Sequence, residues 1–235
     1  MYKTYDDFKA SLGGNILHFL EKYEGSIRDF IRRIVYDKLI NSYTKDQVER
    51  MVKYKFMIYG AILLSENAGN LSIALEKDTE GKILSQIKEW GLDTDEVGHQ
   101  LASAIFNAYV ASTEDIRKHL MLFVDFEIIQ EKLNKLQGRD IRKLTFSEVI
   151  GCLHDIYPDN DFIRYLYDTH IVLRNLMAHY NYTWESKELC LYEGVFDEEP
   201  KRKYRLEEFL QEVLNLYTLS TALFYIYKKL IIDPI

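Results

Sequence analysis

At 235 residues the chain is long enough to bury a substantial core, and 47% hydrophobic content beside 29% charged residues excludes a disordered protein. The formal net charge of -7 works against broad electrostatic capture of nucleic acid, so any RNA partner must meet a local basic patch. Only 3 Pro and 11 Gly punctuate the sequence, which favours long helices over a strand-rich fold, and 18 Tyr with 12 Phe point to aromatic helix contacts.

Residues 5–11 read as a short helix broken at Gly13-Gly14, followed by an amphipathic helix from residue 15 to about residue 41. Thr44 is placed to cap the next helix, which carries the apolar run 56–64 and ends near Glu66. Asn67-Ala-Gly-Asn70 has the composition of a turn. One or two shorter helices then reach Trp90, and Gly91 suits a helix C-terminus. Asp93-Thr-Asp95 opens the longest helical region, about residues 96–136, with a break expected at Ser112-Thr113 and an end at Gly138. Thr145-Phe-Ser-Glu148 has the form of a capping box and starts a helix that ends before Pro158. Asp159-Asn-Asp161 caps a helix over about residues 161–182. Helical periodicity is lost between residues 183 and 204, where Leu189-Cys-Leu-Tyr-Glu-Gly-Val195 reads as a strand of a small hairpin. A last helix runs from residue 206 to about 231.

The chain is therefore expected to be all-α. Its best internal boundary is at residues 91–93, separating an N-terminal helical region (1–92), which can also belong to the same domain, from a bundle over 93–235. Cys152 and Cys190 make no disulfide framework and read as buried thiols of a cytoplasmic protein. The longest apolar run, 56–64, is too short to span a bilayer, and Lys3, Asp6 and Asp7 precede any apolar stretch, unlike a secretory leader. Metal and cofactor sites are not expected. Cys152-Leu-His154 is too sparse for zinc, Asp93, Asp95 and Glu96 suit a helix start, and no glycine-rich phosphate loop or dinucleotide fingerprint occurs.

The helix over 161–182 carries the chemistry. With Arg174 set at zero, Phe162, Tyr165, Leu166, Thr169, Leu173, Leu176, Met177 and Tyr180 fall in an arc of roughly 180° to 300°, an ordinary core face. The other face holds Arg174, Asn175, Ala178, His179 and Tyr182, with Ile171 and Val172 among them. A cation, an amide, an imidazole and a phenol project together there, with His170 one turn before Arg174.

Arg174-Asn-Leu-Met-Ala-His179 resembles the R-x4-6-H motif of the HEPN superfamily (higher eukaryotes and prokaryotes nucleotide-binding), in which Asn, Asp or His commonly follows the Arg. Arg164-x5-His170 also has the bare spacing, but Tyr165 follows its Arg. The resemblance covers about residues 94–232, with the motif late in a helical chain before an irregular segment and one last helix. It implies a HEPN-like helical bundle with additional N-terminal helices, acting as a metal-independent endoribonuclease in which the 2'-hydroxyl of RNA attacks the adjacent phosphate and leaves a cyclic phosphate. His179 would move the proton, Arg174 would hold the phosphate, and Asn175 would orient the imidazole or bind a phosphate oxygen; Tyr182 and His170, from the same side of the helical wheel, are supporting candidates. One motif per chain implies a homodimer with a composite site. A defence or toxin role, with an antitoxin or regulatory protein as partner, follows by analogy.

Lys201-Arg-Lys-Tyr-Arg205 is the densest basic cluster, and Lys201, Arg202, Lys203 and Arg205 are candidate contacts for RNA backbone. The flanking Glu198, Glu199, Glu207 and Glu208 also suit a solvated loop before a helix. Arg139, Arg142 and Lys143 form a smaller patch. Two readings of other classes stand beside the nuclease: a non-catalytic HEPN-like module binding RNA, nucleotide or protein, and a helical interaction protein in which the motif is coincidence.

Overall fold

The computed structural model describes residues 4–37, 45–78, 80–90, 94–123, 143–178, 182–185, 188–193 and 199–229. They are mostly helical, with one small antiparallel sheet. In chain order the helices are α1 (Tyr5–Ala10), α2 (Gly14–Tyr36), α3 (Lys45–Glu76), α4 (Lys82–Glu89), α5 (Thr94–Phe123), α6 (Phe146–Ile156) and α7 (Asp161–Tyr165). A π-helical turn (Leu166–His170) joins α7 to α8 (Ile171–Ala178). Strands β1 (Tyr182–Glu185), β2 (Glu188–Leu191) and β3 (Arg202–Arg205) follow, and α9 (Leu206–Tyr227) is last.

The chain divides into two compact units, each assembled from separate stretches. Unit 1 comprises Met1–Phe56, Thr113–Leu173 and Asn215–Ile235; unit 2 comprises Met57–Ser112 and Arg174–Leu214.

In unit 1, local rules and tertiary packing agree. Thr4 and Asp7 exchange side-chain and backbone hydrogen bonds, both 3.1 Å, to cap α1. Leu20, Tyr23, Ile27, Phe30, Ile31 and Ile34 recur at helical spacing along α2 and are buried. The α2 face meets aromatic rings, as the composition implies: Phe30 lies edge-on to Tyr157 at 5.6 Å and 5.9 Å from Phe162, and Tyr23 lies 4.8 Å from Tyr165. The capping box at Thr145 is present, and α6 ends at Ile156, before Pro158. Asn160 caps α7 by accepting from the Ile163 N–H at 3.1 Å, while its amide donates to the Ser26 carbonyl of α2 at 2.9 Å.

Two expected interruptions are absent. Helix α3 runs straight through Asn67-Ala-Gly-Asn70, and Ala68 and Gly69 are buried. A Cβ on Gly69 would lie 2.4 Å from Leu210 Cδ2, so the glycine serves a close approach of α9 to α3 within unit 2. Helix α5 likewise continues through Ser112-Thr113, both buried, because packing overrides the capping tendency of their hydroxyls. Thr44, Gly91, Asp93, Leu136 and Gly138 lie outside the described residues.

The sheet is larger than the expected hairpin. Its order is β1-β2-β3, all antiparallel, so the basic cluster is a paired strand instead of a loop.

Candidate functional site

The helix that carries the motif keeps its expected core face. Phe162, Leu166, Leu173, Leu176 and Met177 are buried, whereas Arg174 and Asn175 are half-buried on α8. The π-helical turn alters the middle of this face. It fits an extra residue into one turn, and His170, fully buried, takes the interior position that a straight wheel assigns to Thr169. The His170 ring lies edge-on to Tyr165 at 5.0 Å, inside the core of unit 1. His170 thus sits in a packed interior and away from solvent. The described helix ends at Ala178; His179, Tyr180 and Asn181 lie outside the described residues. Tyr182 stands on β1 and not on the helix, because the backbone there pairs with Leu191 of β2. Its ring stacks on Phe106 of α5 at 5.2 Å.

Pairing splits the basic cluster between two faces. The register aligns Tyr182 with Leu191 and Leu191 with Arg202, so these three share one face of the sheet. The next residues on that face of β2 and β3, Leu189 and Tyr204, pair with each other, and the Tyr204 ring lies 5.8 Å from Phe209 of α9. Arg202 and Tyr204 are accordingly half-buried, and Arg202 Nη1 donates to the Tyr204 hydroxyl at 3.3 Å. Lys203 and Arg205 point to the opposite face and are exposed; Arg205 pairs across the ladder with Glu188. Lys201 forms an exposed ion pair with Glu193 at 2.7 Å. Of the smaller patch, Lys143 is exposed, and Arg139 and Arg142 lie outside the described residues.

Tyr109 of α5 is fully buried against Phe209 at 5.3 Å. Burial pushes its phenol well above the ordinary value, Tyr204 and Glu212 push the same way, and Arg202 and Arg174 oppose them. The guanidinium of the motif and that of β3 therefore both act on one hydroxyl. Among the described residues no carboxylate forms an ion pair with Arg174.

A second constellation, in unit 1, has no counterpart in the sequence reading. Lys55 of α3 donates to Ser220 of α9 at 2.8 Å and to the Asp115 carboxylate of α5, to which the Ser220 hydroxyl also donates. His119 Nδ1 lies 3.2 Å from Asp115 Oδ1 and 2.7 Å from the Asp115 carbonyl oxygen. Burial disfavours the Asp115 carboxylate, but His119 and Lys55 outweigh it and hold the carboxyl well below its usual range. Lys55 and Asp115 are 4% and 1% exposed, which suits a buried ion pair that fixes three helices better than a site open to substrate. The i,i+4 spacing of Asp115 and His119 is the only sequence signal for it; its other partners are distant in the chain.

Among the described residues no group of three or more His, Cys, Asp or Glu side chains is arranged to hold a metal. No helix among them is long and apolar enough to cross a membrane. Both cysteines are buried, and neither forms a disulfide. No family model, curated protein or solved structure matches the chain.

Proposed function

We propose that the chain is a metal-independent endoribonuclease of HEPN type, with Arg174 and His179 from two copies forming a composite active site. The observation that supports this reading is Arg174 itself. It is a half-buried guanidinium beside Asn175, with no carboxylate among the described residues paired to it. A cation partly withdrawn from water and not ion-paired among the described residues suits an anionic ligand, and the planar fork suits phosphate. His179 follows Arg174 at the motif spacing and supplies an imidazole as the proton-transfer group. In this mechanism one imidazole takes the proton of the 2'-hydroxyl as it attacks the adjacent phosphorus. The 5'-oxygen leaves with a proton from a second imidazole, and a cyclic phosphate remains. Arg174 stabilises the charge that builds on the phosphoryl oxygens. One helix offers one His, so the second acid–base group comes from a homodimeric partner. A cytoplasmic effector in defence or as a toxin, held in check by an antitoxin or regulatory protein, is the biological setting this reading carries by analogy.

The test is RNA cleavage in EDTA by the wild-type chain, His179→Ala and Arg174→Ala, purified alike. The expected result is a cyclic phosphate product and a loss of about 100-fold or more in each variant. Equal cleavage by all three would refute the assignment. Saturable RNA binding without turnover by the wild type would leave the non-catalytic module as the function.

A further inference from the structure

We infer that the solvent side of α3 over residues 58–71 is a two-fold contact between two copies of this chain. The inference uses neither the Arg174 motif nor RNA, and it stands apart from the ribonuclease reading. The distribution of residues around the helix is the first reason. At about 100° per residue, the buried Ile58, Ile62, Ser65 and Gly69 fall within about 60° of one another, and Leu210 of α9 closes on that side at Gly69. The opposite arc, about 140° wide, holds the exposed residues Tyr59-Gly60, Leu63-Leu64, Asn67 and Asn70-Leu71. None of them is charged, in a chain with 29% charged residues. The exposed residues of α2, by contrast, include Glu21, Lys22, Arg32 and Arg33. A helix that is apolar on both sides is ordinarily buried on both.

Area is the second reason. Tyr59, Leu63, Leu64 and Leu71 are 41%, 40%, 66% and 40% exposed. With about 200 Å² for each side chain in the open, they present roughly 370 Å² of apolar surface. A stable interface takes about 800 Å² from each partner, a little over half of it apolar, so these four supply most of an apolar core from one helix. Glu66, half-buried at the margin of the arc, begins a polar rim. The third reason is self-complementarity, which selects the partner. A two-fold contact sets one patch against itself, so the patch must carry nothing that repels its own copy. Here apolar side chains meet their own kind, and the Asn67 amide, midway across the arc, can donate to and accept from a second Asn67. The net charge of -7 opposes association of two copies in general, and this side of α3 carries none of it. Gly69 makes room for Leu210, but a Cβ on the exposed Gly60 would meet nothing within 4 Å. The room over Gly60 is open to the backbone of a second helix. A membrane surface fits less well, because interfacial helices are rich in Lys and Arg and the one charge in residues 58–71 is Glu66.

Analytical ultracentrifugation of the full chain, from about 1 to 100 μM, reads this contact without RNA. The expected result is a reversible dimer of twice 27.9 kDa. Leu63→Glu and Leu64→Glu each place a charge on the patch and are expected to weaken the dimer about 100-fold or more. Both residues face solvent, so far-ultraviolet circular dichroism should show each variant folded. Tyr167→Glu, which charges a residue of similar exposure in unit 1, is expected to leave the dimer unchanged. Leu64 lies near the middle of the patch, so a two-fold contact brings it close to its own copy. Leu64→Glu mixed with Leu64→Lys is therefore expected to associate about tenfold or more tightly than either variant alone, a gain that a misfolded chain would not show. A wild type that is monomeric throughout, a dimer indifferent to both glutamates, or no gain on mixing would each overturn the inference. A monomer that floats with neutral lipid vesicles, and ceases to in Leu64→Glu, would overturn the second copy in favour of a membrane surface. The expected dimer in a chain that cleaves no RNA would sink the ribonuclease and leave the α3 contact standing.

Discussion

Replacing Asp115 with Asn tests whether the buried network of unit 1 is an ion pair whose charges depend on each other. The substitution keeps the shape and removes the charge, leaving the Lys55 ammonium 4% exposed with only neutral acceptors, among them Ser220 at 2.8 Å. Removing one partner of a buried pair costs about 3–5 kcal/mol, because the other charge stays desolvated without compensation. With a urea dependence near 3 kcal/mol per M, about that expected for a chain of this length, the unfolding midpoint should fall by about 1–2 M at neutral pH. Lys55→Met/Asp115→Asn removes both charges and is expected to be more stable than Asp115→Asn alone by about 2 kcal/mol. The assay is urea unfolding followed by far-ultraviolet circular dichroism, repeated across acid pH. The folded carboxyl lies below its ordinary value of 3.8, so between the two values the unfolded chain binds more protons than the folded one. The stabilisation by Asp115 is therefore complete above about pH 4 and is lost as the pH falls further, so the gap between wild type and Asp115→Asn should narrow in acid. An Asp115→Asn cost below about 1 kcal/mol, or additive effects in the double variant, would refute a charged, interdependent pair.

Three further outcomes follow from local geometry, each read by the same unfolding assay. Gly69→Ala adds a Cβ 2.4 Å from Leu210 Cδ2, so it is expected to destabilise the wild type; in a Leu210→Ala background the clash is gone, and it should stabilise by up to about 1 kcal/mol. Asn160→Ala removes both the α7 cap and the bond to the Ser26 carbonyl, an expected cost of about 1–2 kcal/mol. Thr145→Ala breaks the α6 capping box, where Thr145 Oγ accepts at 3.3 Å, and should cost about 1 kcal/mol.

What the sequence made legible was what local rules decide. The cap at Asn160, the box at Thr145 and the apolar stripe of α2 each lie within a few residues, and all three appear where spacing places them. Asn67–Asn70 and Ser112-Thr113 misled because they have turn or cap chemistry, while their burial depends on segments far along the chain. The strand Arg202–Arg205 was masked by charge: β3 alternates between half-buried and exposed, but cations at both kinds of position hide the period of two. At the candidate site, the half-exposure of Arg174 and Asn175 was readable from the helical wheel. The π-helical turn that buries His170 had no sequence mark, and neither did the face that Arg202 shares with Tyr182, since both are set by tertiary packing and register.

The stretch of α3 around Gly69 also bears on the order in which unit 2 assembles. Two asparagines and a glycine within four residues are poor helix formers, and the glycine alone costs about 1 kcal/mol relative to alanine. Before α9 arrives, nothing local repays that cost, so this part of α3 should flicker between helix and coil in the unfolded ensemble. It becomes a persistent helix when Leu210 seats over the glycine, a contact between residues far apart in the chain. Closing so long a loop is slow and has to precede the reward. The middle of α3 is thus expected to gain amide-exchange protection late in refolding, in step with the first turns of α9 and behind the independently capped helices of unit 1.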